Sequence, residues 1–150
     1  MIIGLGTDII SIERIAAVLA KNEASFINRV CTENEKKYLM ERGDVQSRLA
    51  KIWAVKEAAV KALGTGFVQG VSFADIEMSH DKLGKPEIIF KGEALRILQD
   101  KLGGKKANVL VSLSDEKPFA QAIVIIEKIC YYLYRIRSEL TGWKEHIYIY

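Results

Sequence analysis

Val45-Gln46-Ser47-Arg48-Leu49-Ala50-Lys51-Ile52-Trp53-Ala54-Val55-Lys56-Glu57-Ala58-Ala59-Val60-Lys61-Ala62-Leu63, closed by Gly64, is the stretch around which the chain organises. Leu49, Ile52, Trp53, Val60 and Leu63 recur at helical spacing, which predicts one long helix over 45–63. Gly64 is a natural stop, because glycine enters the left-handed cap without a Cβ clash. Upstream, residues 2–10 are β-branched and apolar and read as a strand. Ser11 caps a helix to about Ala20, a short helix follows at 24–30, and Thr32 with Glu35 makes a capping box for a helix to about Arg42.

Downstream the period changes. Residues 73–79 and 86–90 read as strands joined by the turn Asp81-Lys82-Leu83-Gly84-Lys85. A helix is expected over 92–102, ending at Gly103-Gly104, and two strands over 107–114 and 119–127. This order predicts an α+β domain in which a small, mainly antiparallel sheet packs with the long central helix. The composition shifts after Glu127, and five of the six tyrosines lie beyond it. The division expected is a domain over 1–127 and a C-terminal extension over 128–150, an interaction element or an added tail.

Composition excludes several classes. With 150 residues, 49% hydrophobic and 27% charged, the chain reads as one soluble domain. No apolar run reaches the roughly 20 residues of a membrane helix, and no basic segment precedes the apolar start, so a signal peptide is not expected. Cys31 and Cys130 lack metal spacing and need not pair, which suits a reducing cytoplasm. The net charge is +3, of which residues 128–150 carry +2. The body is nearly neutral, which disfavours nucleic acid as a partner.

The residues that carry chemistry are few. Asp8 closes a strand, and Glu57 and Lys61 stand one helical turn apart. Two carboxylates and a flanking cation suit a magnesium ion that holds a substrate phosphate. The bland alternatives stay open: a turn aspartate, and an i,i+4 ion pair worth a few tenths of a kcal/mol. Gly64-Thr65-Gly66 follows a helix C-terminus, the wrong end for a phosphate cradle. Gly4-x-Gly6 lacks the third glycine of a dinucleotide fingerprint. Both glycine groups also read as turns. His80 and His146 have no metal-spaced partner, and Ser112 and Ser114 have no histidine for a triad.

The chain resembles the holo-(acyl-carrier-protein) synthases, the short 4′-phosphopantetheinyl transferases. The resemblance runs from Met1 to about Glu127. It is carried by Gly4-x-Gly6-x-Asp8-Ile9, Phe26-x-x-Arg29-Val30-x-Thr32-x-x-Glu35, Trp53-Ala54-x-Lys56-Glu57-Ala58, Lys61-Ala62-x-Gly64-Thr65-Gly66, Phe73-x-Asp75-Ile76-Glu77, Gly84-Lys85-Pro86 and Val111-Ser112-Leu113-Ser114-Asp115. It implies transfer of the 4′-phosphopantetheine arm of coenzyme A to a serine of apo acyl carrier protein, with release of adenosine 3′,5′-bisphosphate. By position it implies Asp8 and Glu57 as ligands of Mg²⁺, with Mn²⁺ as a substitute, and Lys61 as the residue that neutralises phosphoryl charge. Glu57 is the candidate base. Gly64, Gly84, Lys85, Pro86, Ser114 and Asp115 match segments lining the coenzyme A site, together with Lys61. The resemblance further implies a homotrimer with interfacial sites, in the cytoplasm, serving fatty-acid synthesis. Arg14, Lys21 and Arg29 are expected to dock the acidic carrier; solvated charges on an ordinary amphipathic helix are the alternative.

Two departures stand out. Ile52 occupies a place where many relatives carry arginine, and the expectation is that Arg48, one turn earlier, or a cation from a neighbouring subunit replaces it. Lys51 points about 100° away around the helix and is the weaker substitute. Segment 128–150 has no counterpart in the short family pattern. A non-catalytic carrier-protein or coenzyme A binding homologue is the runner-up.

Overall fold

The computed structural model of the chain describes residues 1–41 and 43–129. β1 (Ile2–Ser11) leads into α1 (Ile12–Val30), α2 (Glu33–Met40) and α3 (Val45–Leu63). β2 (Ile76–His80) and β3 (Pro86–Phe90) follow, then α4 (Gly92–Leu102), β4 (Lys106–Glu116) and β5 (Phe119–Ile129). The α+β class holds. The strands form two antiparallel sheets, one of order β1-β5-β4 and a separate β2-β3 pair.

Strand boundaries differ from the sequence expectation at two places. Residues 73–75 form a 3₁₀ turn, and the strand starts at Ile76. The Asp75 carboxylate accepts the backbone N–H and the hydroxyl of Ser72, at 2.7 and 2.8 Å, which competes with strand pairing. α1 comprises the two helices expected over 11–20 and 24–30, which meet at a kink at Asn22 (φ −161°, ψ 75°), whose Oδ1 accepts the N–H of Ser25. β5 extends to Ile129, with Lys128 and Ile129 paired to β4. The rest of the expected extension, 130–150, lies outside the described residues, as does Arg42.

Helix α3 is the central element. Asp44 caps its start by accepting N–H bonds from Gln46 and Ser47, and Gly64 ends it in the left-handed region at φ 76°. Twelve of its residues are buried, far more than one helical stripe supplies, because sheet and helices enclose it on several sides. It crosses the inner face of β1 and β5. A Cβ at Gly4 would overlap the carbonyl oxygen of Ala62, and one at Gly6 would overlap that of Ala58. Strand and helix therefore meet backbone to backbone, an approach that only glycine permits. On the helix side the contact falls at alanines.

On its opposite side α3 is tied by charge. Lys56 and Glu35 are both fully buried, with Nζ 2.7 Å from Oε2. The ammonium also donates to the carbonyls of Val30 (2.7 Å) and Phe73 (2.8 Å). Glu35 completes its expected capping box by accepting the Thr32 N–H on Oε2, and Oε1 accepts the Met78 N–H at 2.8 Å. Burial holds the Lys56 ammonium below its ordinary pKa, and the Glu35 charge opposes that shift.

The glycine seat makes a firm demand. Gly6→Ala should lower unfolding stability by about 3 kcal/mol, because the new methyl meets backbone that cannot rotate away. Urea denaturation followed by circular dichroism measures this. The same substitution at Gly104, where φ is positive but a Cβ meets nothing within 4 Å, should cost less, about 1 kcal/mol.

Candidate active site

Successive side chains of a strand alternate between faces, so Gly4, Gly6, Asp8 and Ile10 share the side of β1 that meets α3. The seat that lets Gly6 touch Ala58 thus carries Asp8 to the flank of the helix. There Lys61 Nζ lies 2.7 Å from Asp8 Oδ1 and donates to the Thr7 carbonyl at 3.1 Å. The Asp8 side chain is mostly buried, whereas Lys61 is about half exposed. The ion pair of Lys61 reaches across to the strand rather than along the helix to Glu57.

Glu57, one turn before Lys61, is half-buried. Its carboxyl pKa is raised, first by burial and then by the negative charge of Asp8, with Lys61 opposing. The structure therefore brings Asp8, Glu57 and Lys61 into one electrostatic cluster, two anions and a cation. Its donors are hard oxygens, and among the described residues no group of three or more His, Cys, Asp or Glu gathers anywhere. Two carboxylates alone do not close a protein cage. They fit Mg²⁺, which keeps waters and takes its remaining ligands from a phosphate.

The other candidates sit apart from this cluster in the chain. Gly84, Lys85 and Pro86 form the turn and first residue of the β2–β3 hairpin, organised by the Asp81 carboxylate, which accepts the N–H groups of Leu83 and Lys85. Ser114 and Asp115 lie near the end of β4. Among the described residues no hydrogen bond or ion pair joins either group to Asp8, Glu57 or Lys61. Gly64 donates to the Lys61 and Val60 carbonyls as a helix cap. Beside it the Thr65 hydroxyl is buried without a partner, a feature with no signal in the sequence.

Arg48 makes its hydrogen bonds at the end of α2. Its guanidinium donates to the carbonyls of Tyr38 (2.9 Å) and Glu41 at the end of α2, and lies over the Tyr38 ring. Lys51, the weaker substitute by helix angle, instead pairs with Asp115 at 3.0 Å. Ile52 is fully buried in the core. Helix angle placed Arg48 and Ile52 on nearly one face; the half-buried Arg48 is engaged there by the end of α2.

Arg14, Lys21 and Arg29 line one cleft of about 350 Å³ with Ile10, Ile15, Val18, Phe26 and Trp53. The bend at Asn22 lies along it. Its apolar wall is built by Phe26 stacked on Trp53, ring centroids 5.7 Å apart, with Arg29 over the Phe26 ring.

The model of the 4′-phosphopantetheinyl transferase superfamily matches residues 4–113. The chain belongs to that superfamily and, within it, to the short holo-[acyl-carrier-protein] synthase family of transferases. It is 44% identical over 128 residues to the holo-[acyl-carrier-protein] synthase of Vibrio cholerae serotype O1 (strain M66-2), covering 85% of this chain and 99% of the relative. The crystal structure of the Neisseria meningitidis enzyme of that name superposes with a TM-score of 0.75 at 41% identity, over 85% of this chain and 100% of the other. The Bacillus anthracis str. Ames enzyme, solved in complex with CoA (3′,5′-ADP), superposes with a TM-score of 0.69 at 37% identity, over 86% and 99%.

The raised pKa of Glu57 carries a sign. A carboxyl group held above its unfolded value disfavours the folded state once ionised. Its penalty is therefore absent at low pH and grows as pH rises above the unfolded value of about 4.3. Glu57→Gln should raise Tm at pH 7 in EDTA, and the gain should vanish by about pH 3, where the carboxyl is protonated in both folded and unfolded chains. Thermal denaturation at the two pH values measures it.

Proposed function

We propose that the chain transfers the 4′-phosphopantetheine arm of coenzyme A to a serine of apo acyl carrier protein and releases adenosine 3′,5′-bisphosphate. The observation that carries this reading is the Asp8–Lys61 ion pair with Glu57 alongside, held by the closest helix–strand contact of the domain. Asp8 and Glu57 would hold Mg²⁺, or Mn²⁺ in its place, which when bound supplies Lewis-acid polarisation of the pyrophosphate. Lys61, whose ammonium is half exposed, turns to the phosphoryl oxygens and neutralises the charge that develops on them. Glu57, directly or through a water, accepts the proton of the incoming serine.

The remaining assignments follow the same reading. The Gly84-Lys85-Pro86 turn, Gly64, Ser114 and Asp115 border coenzyme A. Lys51 joins them through Asp115 as the cation nearest that group. The cleft with Arg14, Lys21 and Arg29 receives the acidic carrier, its apolar floor adding area to the charge. Residues of the outer sheet face support assembly as a homotrimer: Leu5, Ile9, Leu110, Phe119 and Ile123 are exposed there on three neighbouring strands. The proposed sites lie between the subunits of that trimer. No helix among the described residues is long and apolar enough to cross a membrane, in keeping with work in the cytoplasm.

The test is incubation with coenzyme A, Mg²⁺ and apo carrier, read by intact mass of the carrier. Conversion is expected, with loss of at least about 100-fold in rate for Asp8→Ala. Conversion undiminished in excess EDTA refutes the metal assignment. A carrier that is bound but never modified supports the non-catalytic homologue. Arg14→Glu with Lys21→Glu should raise KM for the carrier about tenfold and leave KM for coenzyme A within about twofold, because rim charges steer encounter. Steady-state kinetics with each substrate varied in turn separates the two.

A further inference from the structure

We propose that Lys56 and Glu35 are a positioning pair that fixes the roll of α3 about its own axis, and so the facing of Glu57 toward Asp8. The inference rests on the reading of Asp8 and Glu57 as a metal pair. On one side α3 sits on Gly4 and Gly6 through Ala58 and Ala62. A seat of such small groups sets distance but resists rolling poorly. Lys56 projects about 160° around the helix from Ala58. There its ammonium bonds three oxygens from three elements: Val30 at the end of α1, Glu35 of α2 and Phe73 of the 3₁₀ turn. Glu35 is itself held by the N–H groups of Thr32 and Met78.

The anchor and the functional group are consecutive residues. Any roll that displaces Lys56 displaces Glu57 equally. Side-chain tips stand about 5–6 Å from the helix axis, so a roll of about 10° moves the Glu57 carboxylate by about 1 Å. Such an error is large for a ligand pair. A buried ion pair is a weak source of net stability compared with apolar groups of the same volume. What it supplies here is direction: three hydrogen bonds at fixed angles, which a leucine or methionine does not provide. Lys56 touches neither substrate nor metal in this account, and its effect is on the aim of Glu57.

The test uses the full chain. Lys56→Met alone strands a buried carboxylate and should lower Tm by roughly 10–20 °C. The informative variant is Lys56→Met with Glu35→Gln, which removes both charges and keeps an acceptor for Met78. Two readouts are taken: Mn²⁺ affinity by calorimetry, and nuclear Overhauser cross-peaks between Gly6 Hα and Lys61 Hβ. The expected result is a cooperatively folded variant with Mn²⁺ affinity down about tenfold or more and those cross-peaks weakened. A double variant that keeps wild-type affinity and cross-peaks overturns the proposal. So does one that fails to fold, since the pair then serves the fold at large. If the wild-type protein itself binds no Mn²⁺, the metal reading falls, and the cross-peaks alone decide the positioning claim.

Discussion

Strand β1 reaches the backbone of α3 because residues 4 and 6 carry no side chain. Everything at the candidate site descends from that contact. With any larger residue the strand would stand off by the thickness of a methyl group or more, and Asp8 would leave the reach of Lys61. The seat also explains why α3 shows alanine at 58 and 62 rather than leucine. Small residues on both surfaces permit an approach that ordinary helix–sheet packing does not. The carboxylates come from elements far apart in sequence, and packing rather than chain proximity joins them.

The site holds two like charges near each other in a half-buried place, and this has a cost in the absence of a counterion. Burial and the Asp8 charge both disfavour ionised Glu57, and Lys61 offsets part of that. Such local conflict is typical of functional positions, where groups are held in arrangements that stability alone would not select. The core around it is conventional by comparison. Lys56 and Glu35 satisfy one another and four backbone groups, so their burial leaves no polar atom stranded.

Much of this was legible in the sequence. Element types and most boundaries follow from hydrophobic period, from the Thr32–Glu35 capping box and from the Gly64 stop. The cluster of Asp8, Glu57 and Lys61 was reached through helical spacing and a family resemblance. What escaped was long-range geometry. Gly4 and Gly6 read as ordinary turn glycines, because nothing local shows that a helix will lie on them. Nothing local marks Lys56 as an anchor, since its three oxygen partners come from segments 17 to 26 residues distant. Arg48 was preferred over Lys51 on helix angle alone. The angle was sound, but it could not reveal that carbonyls at the end of α2 engage Arg48 or that β4 brings Asp115 to Lys51.

The central claim is that the glycine seat brings Asp8 and Glu57 together to share one divalent cation. Anomalous diffraction from crystals grown with Mn²⁺ tests it most directly. The account predicts one peak per chain within about 2.5 Å of oxygens from both carboxylates, with Lys61 swung away from Asp8. A peak held by other residues, or no peak with the Asp8–Lys61 ion pair intact at saturating Mn²⁺, would contradict it.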